Sequence, residues 1–293
     1  MIKGLTSKIE VVYDDKRGRH SVANHDFYPG EVVGVDNPVT WCLSYNHALT
    51  HCHHCCQPLT SSGGYPSPLS LHETILFCSL SCLHAASTTY HQHEAIIPLS
   101  YLFSIEAGSG ANGRGGFDEI SGAVLMVIRI LTQKKPNFFT DTDWLGEAKQ
   151  NHVPSEITDD DDGNYKFKSL FNMVTHHDTR SDVDLLSTTM KTVFILQMLK
   201  AMKYCSNVED YISTLGPIIF NLLEVVQFNS HPIDIVVDDI DPNKNINLVE
   251  IGSAVYPTIA TCCNHSCDPS TIRFSCTNCN SVFIQSLLQG FQG

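Results

Sequence analysis

Two cysteine pairs are the residues most clearly spaced for chemistry. Cys52 and Cys55 form one pair, Cys78 and Cys82 the other, and the segment QPLTSSGGYPSPLS lies between them. Each pair can present two thiolates from one tight turn, and the intervening loop lets the two turns converge on a tetrahedral zinc ion. That loop is rich in Pro, Gly and Ser and has little apolar material for a core of its own, so a metal would supply the missing staple. The chain has 12 Cys in all: six fall between 42 and 82, five between 262 and 279, and Cys205 stands alone. Cys276 and Cys279 could bind metal together with Cys267, but the reading preferred here is a hairpin turn at Thr277-Asn278.

Composition narrows the chemistry further. The 293 residues carry 18 Lys+Arg and 31 Asp+Glu, so the formal charge is 18 − 31 = −13. This balance argues against a protein whose main task is gripping a nucleic-acid backbone, and no direct nucleic-acid partner is expected. No apolar run approaches the roughly 18–20 residues of a membrane span, and the start, MIKGLTSKIEVVYDD, lacks a hydrophobic signal core. The cysteines are therefore expected in a reducing compartment, cytoplasmic or nuclear, where paired Cys signify metal or catalysis rather than disulfides.

The elements that must hold these residues are partly legible. Residues 117–134 read as a mostly buried helix with a basic C-terminal end. Residues 182–204 carry Leu186, Met190, Phe194, Met198 and Met202 at i, i+4 spacing, a stripe expected to pack in the core rather than form a groove. A third helix is expected from Val208 to Val226, with Asn207 as N-cap and Gly216-Pro217 kinking or dividing it. Other strings are decoys. Gly108-x-Gly110-x-x-Gly113 lacks the strand–turn–helix frame of a dinucleotide site. Asp159–Asp162 lacks the spacing of a calcium loop, and His176-His177-Asp178 reads as surface or capping groups.

The first cysteine group resembles a MYND zinc finger. Phe77-Cys78-Ser79 with Cys82, then Tyr90-His91, match its central and closing signatures. The resemblance implies two zinc ions in a cross-braced pattern. Its first ligand set is complete as Cys52, Cys55, Cys78 and Cys82. In the second set, positions three and four fall on Leu69 and His72 and position eight on Ala95. Only His72 and His91 could bind there, with His93 and Glu94 as substitutes. One zinc is therefore expected, with a second site that is degenerate.

The second group resembles a SET domain. Asn264-His265-Ser266-Cys267-Asp268-Pro269 matches the NHSCDP motif of SET lysine methyltransferases, preceded by Tyr256-Pro257 and followed by the strand-like Thr271–Phe274. Near the start, Lys16-Arg17-Gly18-Arg19 and Pro29-Gly30-Glu31 resemble the opening SET strands. A SET fold interrupted by a MYND finger and a helical insert is the order of the SMYD family, which this chain resembles over nearly its whole length. The Cys52–Cys55 opening and the Phe171–His176 stretch point toward its fourth vertebrate member and insect relatives.

The resemblance implies an α+β fold with SET parts at 1–47 and 228–293, a finger at 48–96 and a helical insert at 97–227. It implies an S-adenosylmethionine-dependent protein-lysine N-methyltransferase acting on a histone or other protein. Arg17, Arg19, Asn229, Asn264 and His265 would bind the cofactor, and Tyr256 would line the lysine channel. The family's main catalytic Tyr follows a Gly-Glu-Glu turn beyond the NHSC loop, and neither occurs before Gly293. The expectation is thus a chain that stops short of its own active site, catalytically impaired or partial. The alternative is a non-catalytic adaptor whose finger receives proline-containing peptides of partner proteins.

Overall fold

The computed structural model describes residues 8–61, 63–71, 75–97, 119–139, 162–204, 212–236, 248–257, 263–275 and 282–286. His72, Asn207, Cys276 with Cys279, and the Gly108–Gly113 string lie outside them. The described chain is a mixture of sheet and helix. Four strands open it: β1 (Ile9–Asp14), β2 (Gly18–Ala23), β3 (Val32–Asp36) and β4 (Thr40–Leu43). Two short strands follow, β5 (Tyr65–Pro66) and β6 (Leu76–Phe77), then helices α1 (Leu80–Ser87) and α2 (His91–Glu94). Helices α3 (Glu119–Thr132), α4 (Asp162–Leu170), α5 (Asp182–Ala201) and α6 (Ile212–Asn229) precede strands β7 (Ser230–Val236), β8 (Leu248–Val255), β9 (Thr271–Ser275) and β10 (Val282–Ser286).

Early and late strands are interleaved. β1 and β2 form a hairpin, whereas β3 pairs with β10 in the order β3-β10-β9 and β4 pairs with β8 in the order β4-β8-β7. The hairpin turn is set by Asp14, whose Oδ1 accepts from the backbone N–H groups of Lys16 and Arg17 at 2.9 and 2.6 Å. Gly18, at φ +66°, supplies the left-handed residue that the turn needs. Pairing of β4 with β8 demands another glycine, for a different reason. A Cβ on Gly252 would stand 2.2 Å from the Cys42 carbonyl oxygen. Gly252→Ala is therefore expected to destabilise the chain by about 3 kcal/mol or more, read as a fall in the midpoint of chemical denaturation.

The central helix is α3. Its residues Ala123–Ile128 and Ile130–Leu131 are all at most 6% exposed, the all-round apolar surface of a helix enclosed by others. It packs on β4, α2, α5 and α6. Helix α6 is continuous from Ile212 to Asn229 despite Pro217. The expected division does not occur because the proline sits within the first two turns. Its absent N–H there frees only the Ser213 carbonyl.

Helix α5 corrects a second expectation. Phe194, Met198 and Met202 pack against the core, but Leu186 and Met190 are 61% and 67% exposed. Residues spaced at i, i+4 advance by about 40° per step, so from Leu186 to Met202 the row turns through about 160°. One straight helix cannot bury such a row on one side. Its inward face is instead Thr188, Thr192, Ile195 and Leu199. The two threonine hydroxyls are satisfied by the carbonyls four residues earlier, at 3.0 and 2.9 Å.

Candidate functional site

The four spaced cysteines converge. Their sulfurs all lie within 4.8 Å of one another, with Cys55–Cys78 at 3.5 Å and Cys78–Cys82 at 3.6 Å. Zn–S bonds of about 2.3 Å in a tetrahedron separate sulfurs by roughly 3.8 Å, so this cluster could hold a zinc ion. Local structure explains the convergence. After Cys55 the chain doubles back through Cys56, which takes a left-handed conformation at φ +61° while its N–H bonds the Cys52 carbonyl at 2.9 Å. The second pair straddles a helix start: Ser79 caps α1, its hydroxyl accepting from the Cys82 N–H at 3.1 Å.

The thiols are already poised for a cation. The Cys52 thiol is pulled down to about 4, first by a hydrogen bond from Cys55 and then, against burial, by backbone N–H groups of Cys55, Cys78 and His54. Cys55 is pushed well up by its bond to that thiolate and by burial, and Cys82 rises to about 11 mainly through burial. Without metal, one negative charge is thus favoured at Cys52, while Cys55 and Cys82 stay protonated. A divalent cation supplies what the cluster lacks to ionise fully.

The far side of this segment is held by polar groups. His91 is fully buried, with Nε2 at 2.7 Å from Ser67 Oγ and Nδ1 at 3.3 Å from Glu94 Oε1. Arg129 of α3 meets both Glu94 oxygens, through Nε at 2.7 Å and a terminal nitrogen at 2.8 Å, and donates to the Trp41 carbonyl at 2.6 Å. Its guanidinium lies over the Tyr90 ring, 4.4 Å from the centroid. Burial alone would raise the Glu94 carboxyl. The Arg129 charge, with hydrogen bonds from His91 and Arg129, overcomes it and holds the group at about 2. No sequence motif singled out Arg129; in the fold it is 2% exposed and ties α2, α3 and β4 together. Its signal was a lone cation inside the apolar run VLMVIRIL.

The predicted cofactor residues lie elsewhere, and the fold brings some of them together. Asn264 Nδ2 donates to the Arg17 backbone carbonyl at 3.1 Å, so the Asn264–Pro269 loop closes onto the β1–β2 turn. Arg17 is exposed there, its Nε at 2.8 Å from Asp14 Oδ2. Arg19 stands on β2 opposite Tyr13. His265 is exposed, with Nε2 at 3.5 Å from Cys267 Sγ. Asn229 ends α6, its amide nitrogen donating to the carbonyls of Val174 and Val225 at 2.7 and 2.8 Å. Because Ser230 pairs with Val255, Asn229 and Tyr256 sit at the same end of the β7–β8 ladder. Tyr256 is fully buried beside the His231 ring at 6.1 Å. Burial and then the Arg273 charge lower His231 to about 4, so it is neutral at physiological pH.

A cavity of about 860 Å³ opens between α5 and α6, away from the cysteines. Its wall includes Phe171, Thr175, Thr192, Pro217 and the carboxylate of Glu224. Glu224 is 2% exposed; His177 Nδ1 lies 3.2 Å from each of its oxygens, and an Arg180 nitrogen lies at 3.7 Å. His177, which the sequence suggested as a surface or capping group, is exposed as expected and is also the partner of a buried acid.

Among the described residues no helix is long and apolar enough to cross a membrane. No family model matches the chain. Over 341 aligned residues it is 21% identical to the protein-lysine N-methyltransferase SMYD4 of Gallus gallus, an alignment covering 94% of this chain and 44% of that protein. The chain therefore spans less than half the length of this relative. The likeness runs through nearly all of the chain and supports a distant relationship to the SMYD proteins.

Proposed function

We propose that the chain is an S-adenosylmethionine-dependent protein-lysine N-methyltransferase of the SET and MYND type, with the finger at 48–96 as a zinc module. The observation that carries this reading is the closure of the Asn264–Pro269 loop onto the Arg17 turn across 247 residues of sequence. Two segments that resemble cofactor-binding parts of one family meet in space, and the 21% identity to SMYD4 extends over 94% of the chain.

The residues suit the cofactor. Arg17 presents an exposed cation to a carboxylate, Asn264 and His265 offer exposed polar groups on the adjoining loop, and Asn229 fixes the end of α6 beside the β7–β8 ladder. When bound, S-adenosylmethionine supplies a methyl group on a sulfonium that is already an excellent leaving group. The protein must align that methyl with the lysine nitrogen at about 3–3.5 Å and present the amine neutral, since an ammonium has no lone pair. Burial achieves the second task by penalising charge, and the end of the ladder around the fully buried Tyr256 is the buried place nearest these residues.

The test is calorimetry of the purified 293-residue chain with S-adenosylmethionine, together with zinc quantitation on the same sample. One zinc per chain and saturable cofactor binding are expected, with Asn264→Ala weakening binding about tenfold or more. Bound zinc without cofactor heat would overturn the methyltransferase reading and favour a zinc-finger adaptor.

A further inference from the structure

The residues around His91 do not suit the second zinc ion that MYND fingers carry. Such a site needs four donors, most of them thiolates or imidazoles with a free lone pair. Position eight is Ala95, a buried methyl group. The partner facing His91 Nε2 is the neutral hydroxyl of Ser67, which also accepts the Leu69 N–H at 3.2 Å. Glu94 is committed to Arg129 through both oxygens. Among the described residues the one group of metal-binding side chains is the four-cysteine cluster.

We propose that this finger holds a single zinc ion, and that the place of the second is taken by a metal-free relay, Ser67–His91–Glu94–Arg129, which bolts the finger to α3 and β4. The proposal rests on the finger reading given above. Proton positions follow from the charges. Arg129 fixes Glu94 as a carboxylate, so the proton between His91 and Glu94 sits on Nδ1. The lone pair at Nε2 then faces Ser67, whose hydroxyl donates to it. Every nitrogen of the imidazole is used, and the ring is enclosed with its hydrogen bonds satisfied, which is what a buried polar group requires. A zinc ion would cross-link two segments of the finger to each other. The relay links the finger to a helix outside it. Arg129 is the difference, because its third contact is the Trp41 carbonyl of β4.

The experiment counts zinc by mass spectrometry in the full chain after dialysis against zinc-free buffer, for the unaltered protein, His91→Gln and Ser67→Ala. The expected counts are one zinc per chain in all three, with Tm lowered by a few degrees in both variants. A count of two in the unaltered protein, or a lower count in either variant than in the parent, would overturn the relay. A count of zero in the unaltered protein would overturn the finger reading itself, and the relay with it. Cobalt substitution separates the outcomes spectroscopically. Only the charge-transfer bands of a tetrathiolate site are expected, and an additional imidazole-bearing species would also sink the proposal.

Discussion

Removal of the proposed zinc ion, by chelation or by Cys78→Ser, is expected to unfold residues 52–97 and to lower the Tm of the whole chain by more than 10 °C. The loop between the cysteine pairs has little regular structure: β5 is a two-residue strand with both residues exposed, paired to an equally short β6, and Ile75 and Phe77 are its main buried apolar side chains. Binding of a structural zinc ion contributes on the order of 10–16 kcal/mol in small fingers, comparable with the roughly 5–15 kcal/mol that stabilises an entire domain. The loss would not stay local. Trp41, 9% exposed, donates to the His53 carbonyl at 3.4 Å, and the Tyr90 hydroxyl donates to the same oxygen at 3.3 Å. Both rings rest on the turn that carries Cys52 and Cys55. A red shift in tryptophan emission and new proteolytic cleavage between residues 56 and 75 are the measurements. A chelated protein that melts within 2 °C of the parent would refute this account.

Breaking the Glu94–Arg129 pair is the second large effect. Arg129→Met should destabilise the fold by about 3–5 kcal/mol, because it leaves a buried carboxylate without its cation. Replacing both residues with apolar groups, as in Glu94→Leu with Arg129→Met, should recover most of that loss. The pair also predicts a pH dependence. Glu94 has its ordinary value of 4.5 depressed to about 2 in the fold, so the unfolded chain binds its proton first on acidification. The associated stability is fully present above pH 4.5 and is lost as pH falls toward 2. It amounts to about 3 kcal/mol from the size of the shift. Between pH 6 and pH 3 the parent should lose about 2 kcal/mol more in urea titrations than the doubly substituted protein, the acid release of zinc being common to both. Equal pH dependence in both would reject the pair as its source.

The partners of two buried acids, Glu94 and Glu224, mark the limit of what could be read from the chain. Cysteine spacing is a short-range code, and two pairs with a loop between them already imply convergence. The helices at α3, α5 and α6 announce themselves by apolar content. Arg129 and Glu224 stand as single charges within VLMVIRIL and NLLEVV, and no local pattern assigned either of them a role. What decides their fate is a partner 35 residues away for Arg129 and 47 for Glu224, a distance no local pattern encodes. A lone charge in an otherwise apolar helix is better read as a demand for a partner. The row on α5 failed for a geometric reason, since even i, i+4 spacing winds around the helix and cannot define one face for five members. The meeting of Arg17 with Asn264 had no local signal either, and only the family resemblance placed the two together.

The interleaved strand order has a consequence for the chain during synthesis. β3 must wait for β10 and β4 for β8, so edges made within the first 43 residues have no partner until residues near 248–286 have emerged. At about 5–20 residues per second that interval lasts roughly 10–50 s. The proposed finger and its zinc ion would close from local sequence well inside that window, and the helices α3, α5 and α6 can form before the late strands appear. Translation would therefore assemble the proposed metal module first and leave the loop carrying Asn264 to dock last. A ribosome paused in the 205–245 region would hold an ordered finger attached to unpaired strands, the species most exposed to aggregation and to chaperone capture.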